Sequence, residues 1–272
     1  MNKSIIEKLN KLTGRRRSNT NEIMKLRHDI WADELFIDKK VSYIKLDKLL
    51  HSKLLKSRRS NIAEKWFNRV HVIKPDHVEA VEELHKGSSC LYKLPLWELL
   101  EDRPIGPKRL KKLVEQWIFE GRIPMWNLPE GQYGEPHLRL KFAVEDVESL
   151  FRRADIYGFI GILYLLRLSE AKKEGLTHFN LIGVAYRALA GLCRHPGFKK
   201  YWRVFYEAVN KLQSRVPTSL LLLEGLPDII EAQIKASEHI YHMEDNHPPL
   251  LKYRYVEPEY PFREAGFCDC QK

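Results

Sequence analysis

The chain has 272 residues with 44% hydrophobic and 11% aromatic content, enough to bury a core in one large or two to three small domains and too apolar for a disordered protein. Its formal net charge is +10 and its pI about 9.3, which points to a polyanionic partner and says nothing of fold. Residues 1–70 hold 18 Lys+Arg against 8 Asp+Glu, while the remaining 202 residues carry 28 of each sign, so all of the excess positive charge lies in the first quarter.

In chain order, residues 1–20 read as a short helix with an apolar stripe of Ile5, Ile6, Leu9 and Leu12. The arm "GRRRSNTN" follows, with Arg15, Arg16 and Arg17 as its cations. Residues 21–40 predict a helix carrying Ile23, Leu26, Ile30 and Trp31. Between 41 and 86 lie two helical stretches, "KLDKLLHSKLL" and "RRSNIAEKWFNRV", then a strand-like "VHVI" and a helix opened by Pro75. "HKGSSC" (85–90) reads as a linker.

The stretch 91–153 is the most informative. "LPLWELLED" predicts a helix, "RPIG" a turn and "PKRLKKLVEQWI" a second helix. "RIPMWNL" and "HLRLKF" alternate as strands around a turn-rich loop, and "AVEDVESLFRRA" predicts a third helix. On the second helix, Leu110, Leu113, Val114, Trp117 and Ile118 share one face; Lys108, Arg109, Lys111, Lys112, Glu115 and Gln116 take the rest. Basic residues in a first helical turn oppose the macrodipole, a cost that makes sense where phosphates approach. Lys and Arg then meet phosphates or guanine edges, and Gln116 an adenine. The bland alternative is a basic surface helix kept for solubility. The hairpin tips the balance, because Arg139 and Lys141 alternate with Leu138, Leu140 and Phe142, so that one face packs and the other meets backbone or minor groove.

This stretch, "LVEQWIFEGRIP…HLRLKFAVEDVESLFRR", resembles the winged helix of the excisionase and MerR-like superfamily through Gly121, Ile123, Pro124, Arg139, Phe142, Asp146, Val147 and Leu150. The resemblance spans about 60 residues. It implies duplex-DNA binding with the second helix in the major groove and the hairpin wing beside it. The segment before Gly121 and the wing are both longer here than in that pattern.

"VIKPDHVEAVEEL" overlays "KFAVEDVESLFRR" at an offset of 69, matching Ile73 with Phe142, Val78 with Val147, Glu79 with Glu148 and Val81 with Leu150. This suggests a first helix-turn-helix module whose outward residues are Arg58, Arg59, Asn61, Lys65 and Arg69. Chance accounts for four matches about as well as duplication does.

Beyond 157 the pattern is all helical, with segments at 158–174, 177–194, 198–214 and 226–243, and the tail from His247 reads as extended. The 11-residue apolar run "IYGFIGILYLL" is too short to span a bilayer and reads as a buried helix. The N-terminus carries no secretory signal pattern, and Cys90, Cys193, Cys268 and Cys270 have no regular spacing, so reduced thiols in a cytoplasmic, nucleoid-associated protein are expected. No phosphate-cradling loop and no "HExxH" or "CxxC" pair is present; Cys268 and Cys270 with His239, His242 and His247 have the wrong spacing for zinc. No cofactor, metal, catalytic group or membrane association is expected.

The expected fold is therefore mainly α with a small β-hairpin wing: winged helix-turn-helix modules plus a C-terminal helical domain. The expected divisions are a basic arm and helix (1–40), a first helical module (41–88), the winged module (91–156), a helical bundle (157–246) and a tail (247–272). The expected role is a non-enzymatic double-strand DNA-binding protein, in transcription regulation or as a mobile-element or replication accessory factor. Its C-terminal helices would form a homodimer or meet a partner protein. The competing reading is an adaptor whose basic N-terminus binds RNA or an acidic protein; a nuclease with dispersed acids is a weaker third.

Overall fold

The computed structural model describes residues 22–54, 61–118, 126–127, 137–138, 144–216, 223 and 227–246. The arm with Arg15, Arg16 and Arg17, the pair Arg58 and Arg59, the hairpin cations Arg139 and Lys141, and the tail lie outside these residues. The protein is mainly helical, as expected. Helix α1 (Glu22–Asp33) runs into a π-helical turn (Glu34–Asp38). Helices α2 (Tyr43–Leu54), α3 (Ile62–Phe67) and α4 (Pro75–Leu84) follow, then the short α5 (Cys90–Lys93) and α6 (Leu96–Leu100). Helix α7 (Pro107–Ile118) is the basic helix. Beyond it, β1 (Trp126–Asn127) pairs antiparallel with β2 (His137–Leu138), Trp126 opposite Leu138. The rest is α8 (Val144–Arg153), α9 (Ile156–Lys172), α10 (Gly175–Leu192), α11 (Pro196–Lys199), α12 (Trp202–Gln213) and α13 (Pro227–Asn246).

Helix α9 is the centre because its sequence leaves no polar face. Twelve of its seventeen residues are buried, Ile156 through Arg167 almost without a break, and a helix apolar all round must be surrounded. It is started by Asp155, whose carboxylate accepts from the Gly158 amide at 2.7 Å, and ended by Lys173 in the left-handed region (φ 58°). Helices α6, α7, α8 and α10 all pack on it, and α10 in turn packs against α12 and α13. Residues 91–156 and 157–246 thus share one hydrophobic core, with Trp97 stacked against Phe198 at 6.1 Å.

The α8–α9 crossing is close because glycines form it. A methyl group on Gly158 would collide with the Leu150 carbonyl oxygen, and one on Gly161 would sit 2.5 Å from Leu150 Cδ2. Replacing Gly158 with Ala should pry α8 from α9 and cost about 1–3 kcal/mol, read as a lower denaturation midpoint in urea.

A second core joins α1 to α2, α3 and α4. Trp31 meets Trp66 edge-on at 5.7 Å, with Phe36 and Tyr92 against its other edges. The two cores divide along α1 and the π-helical turn that continues it: Ile23, Leu26 and Ile30 belong to the larger, Trp31, Ala32 and Leu35 to the smaller. The packing therefore does not break between residues 40 and 41, because the apolar positions of residues 22–36 fill both cores and make α1 a shared spine.

Two local expectations change. Residues 70–73 form no strand: Val70 and Val72 are exposed, no described segment pairs with them, and only Ile73 is buried, as the anchor into α4. Residues 85–90 are not a linker. The Glu82 carboxylate accepts from the Gly87 amide (2.7 Å), the Ser89 amide (2.7 Å) and the Ser88 hydroxyl (3.3 Å), which folds the segment onto the end of α4 with Gly87 at φ 82°. Ser88 and Ser89 are buried. Serines beside a glycine read as a linker until a carboxylate at the helix end gathers their donors.

Burial also sets a pH response. His178 is fully buried, with Nε2 3.1 Å from the Leu212 carbonyl oxygen and Nδ1 3.2 Å from the Ser169 hydroxyl. Desolvation pushes its pKa, and those of His77 and His195, below the ordinary 6.5. All three therefore stay neutral in the fold at pH values where the unfolded chain already takes up protons. Their contribution is fully present above pH 6.5 and is lost as pH falls below it. Denaturant midpoints should decline from about pH 7 to about pH 5, with a shallower decline in His178→Gln.

Candidate nucleic-acid interface

Helix α7 starts where the sequence places it. Gly106-Pro107 breaks the preceding turn, Pro107 fills the first helical position, and the Gly106 carbonyl accepts from the Arg109 and Leu110 amides. Leu110 is fully buried and Leu113 nearly so, both facing α9 and its neighbours. Lys108, Arg109, Lys111 and Lys112 are exposed, so the amphipathic division read from the sequence is the one the fold uses for the first two turns. Gln116 lies on the helix; its side chain is outside the described residues.

Arg109 is engaged within the protein. Its Nε and one terminal nitrogen donate to the two Glu98 oxygens at 2.7 and 2.6 Å, a fork that ties α7 to α6. These hydrogen bonds hold the Glu98 carboxyl below the usual carboxylate range and raise the Arg109 guanidinium further above its own.

What aims α7 is the turn 101–106, and that turn is clamped from beneath by a buried arginine. Arg167, 1% exposed in the middle of the core, donates to the carbonyl oxygens of Glu101 (2.9 Å) and Arg103, and to the Glu170 carboxylate (2.5 Å). Glu170 also accepts from Arg215 Nε at 2.6 Å, and Arg215 reaches Asp102 at 2.9 Å. Desolvation lowers the Arg167 pKa while the carboxylate beside it works to raise it, the balance expected of a charge buried with its partner. Two arginines, one in α9 and one just past α12, thereby fix both backbone and side chain of the turn leading into α7.

The first helical module is arranged differently. Helices α2, α3 and α4 pack together, but α3 has only six residues. Asn61 precedes it with φ 42°, exposed, and Lys65 is half-buried. Arg69 does not point outward. It follows α3 at φ 58°, its guanidinium bonded to Asp33 and 3.6 Å from Asp29, because the end of α1 gathers cations. Asp33 also accepts from Lys200 (3.1 Å) and from the Tyr201 hydroxyl (2.7 Å), so this carboxylate joins the two cores.

Among the described residues no group of three or more His, Cys, Asp or Glu is placed to hold a metal ion, and no helix is long and apolar enough to cross a membrane. No protein-family model matches the chain, and neither a curated protein nor a solved structure matches it.

Proposed function

We propose that the chain is a non-enzymatic double-strand DNA-binding protein in which α7 is the reading helix. The observation that carries this reading is the exposure of Lys108, Lys111 and Lys112 on a helix whose other face is buried through Leu110 and Leu113. Among the described residues, the first two turns of α7 keep Lys108, Lys111 and Lys112 at the surface. The antiparallel pairing of Trp126–Asn127 with His137–Leu138 falls where the wing of an excisionase or MerR-like module would lie, between α7 and α8. In that role Arg139 and Lys141 contact the backbone beside the groove, and the basic arm of Arg15, Arg16 and Arg17 adds sequence-independent affinity. Transcription regulation, or an accessory role in replication or in the movement of a mobile element, suits such a protein. A single reading helix gives limited specificity, so a homodimer would supply the second half-site.

An adaptor reading draws on a different surface. Ile37, Ile44, Leu49, Phe67, Val70 and Val72, six exposed large apolar residues, all lie between positions 37 and 72, where a protein partner would find them.

The test is competition. A labelled duplex pool bound by the full chain is challenged with unlabelled duplex, single-stranded DNA and RNA, and bound duplexes are sequenced over rounds of selection. Preference for duplex with an enriched sequence supports the proposal. Equal competition by RNA, or no duplex binding at low salt, transfers support to the adaptor.

A further inference from the structure

Between the end of α8, the second half of α10 and α13 lies a cleft of about 370 Å³, within the size range of small-molecule sites. Its floor is apolar: the Phe151 ring, Ala154, Ala188 and Gly191. The floor is also rigid, because Gly191 packs so closely on the α8–α9 corner that a methyl group there would lie 2.7 Å from Ala154 Cα. Three arginines, Arg152, Arg187 and Arg194, line it, and among the described residues no carboxylate does.

From this arrangement we infer that the cleft is a binding site for a small organic anion: a flat apolar body seated on Phe151, with a carboxylate or phosphate held by the guanidinium groups. Each part of the ligand class follows from a part of the site. Gln233 of α13 adds one neutral hydrogen-bonding group at the edge. Arg187 already lies over the Phe151 ring, its guanidinium carbon 5.4 Å from the ring centroid, with Nε donating to the Gly183 carbonyl at 3.3 Å. The terminal nitrogens beyond Nε remain the part of this fork best suited to a bidentate anion. Arg152 pairs with Glu148 at 2.5 Å, but both side chains are more than half exposed, and a pair so open to water is readily exchanged for a ligand's charge.

Helix ends account for part of the arginine content, since Arg152 sits in the last turn of α8 and Arg194 just past α10, where positive charge complements the dipole. Arg187 has no such reason. It stands in the body of α10, and it is the arginine placed over the aromatic floor.

The test uses the full chain and two probes of equal shape, 2-naphthoate and neutral 2-naphthamide, titrated calorimetrically without DNA, so that its outcome is separate from that of the DNA reading. Naphthoate should bind at one site at least tenfold more tightly than naphthamide. Arg187→Gln/Arg194→Gln should remove that preference while leaving the helical circular-dichroism signal of the folded chain in place. Ala190→Leu, which fills the cleft wall without changing charge, should weaken both probes. Equal binding of the two probes, absence of binding by either, or an undiminished preference for naphthoate in the double arginine variant overturns the assignment.

Discussion

Replacing Arg167 with Met should destabilise the protein by about 3–5 kcal/mol, because removing one member of a buried, hydrogen-bonded charge cluster strands the others. Methionine fills much of the volume, so the loss reports the polar contacts and not a cavity. The Glu101 and Arg103 carbonyls lose their donor, and Glu170 retains only Arg215. The Arg167 side chain is inaccessible to solvent, so water does not replace what is lost. For a chain of this size the melting temperature should fall by roughly 6–20 °C. The variant should also bind duplex DNA more weakly, though Arg167 itself reaches no phosphate, because the turn 101–106 no longer sets the direction of α7. A midpoint near wild type in a denaturant titration would mean that the turn is held by other contacts.

The second large effect is expected at the surface. Lys108→Ala/Lys112→Ala removes two exposed cations from α7 without touching Leu110 or Leu113, so stability should change by less than about 0.5 kcal/mol. Duplex affinity near 0.15 M salt should fall about 30-fold, the loss expected for two phosphate contacts. Arg109→Ala should behave in the opposite way. Its guanidinium braces Glu98 on α6, and with Arg109 47% exposed that brace is screened by water and contributes on the order of 1 kcal/mol. Fluorescence anisotropy and urea denaturation on the same preparations separate the two kinds of residue.

What the sequence revealed follows from how local each signal is. Three of the four C-terminal segments were legible to within a few residues, because a run such as "IYGFIGILYLL" can only be buried and glycines and prolines punctuate its neighbours, whereas the segment expected at 198–214 divides at Lys200–Tyr201 into α11 and α12. The division of α7 into a buried and a basic face was legible for the same reason: helical spacing alone assigns it. Arg109 and Arg69 were legible as cations but not as bonded ones. Their partners, Glu98 and the Asp29–Asp33 pair, lie 11 and at least 36 positions away, and sequence spacing does not carry contacts of that range. The clamp under α7 was missed although it left a trace. An arginine closing an eleven-residue apolar run, with a glutamate three positions on, is a charge placed where only a buried partner tolerates it. The arginine cleft left none, since Arg152, Arg187 and Arg194 come together only through the packing of α8 on α10. "HKGSSC" misled because its composition is that of a linker and the organising carboxylate, Glu82, belongs to the preceding helix.

The most direct test of α7 as the reading helix is the slope of log affinity for duplex DNA against log salt, measured for the wild-type chain and for Lys108→Ala/Lys112→Ala. A steep negative slope is expected for the wild type and one shallower by about 2 for the variant, one released counterion for each lysine. Identical slopes would contradict it and move the contact with DNA away from α7.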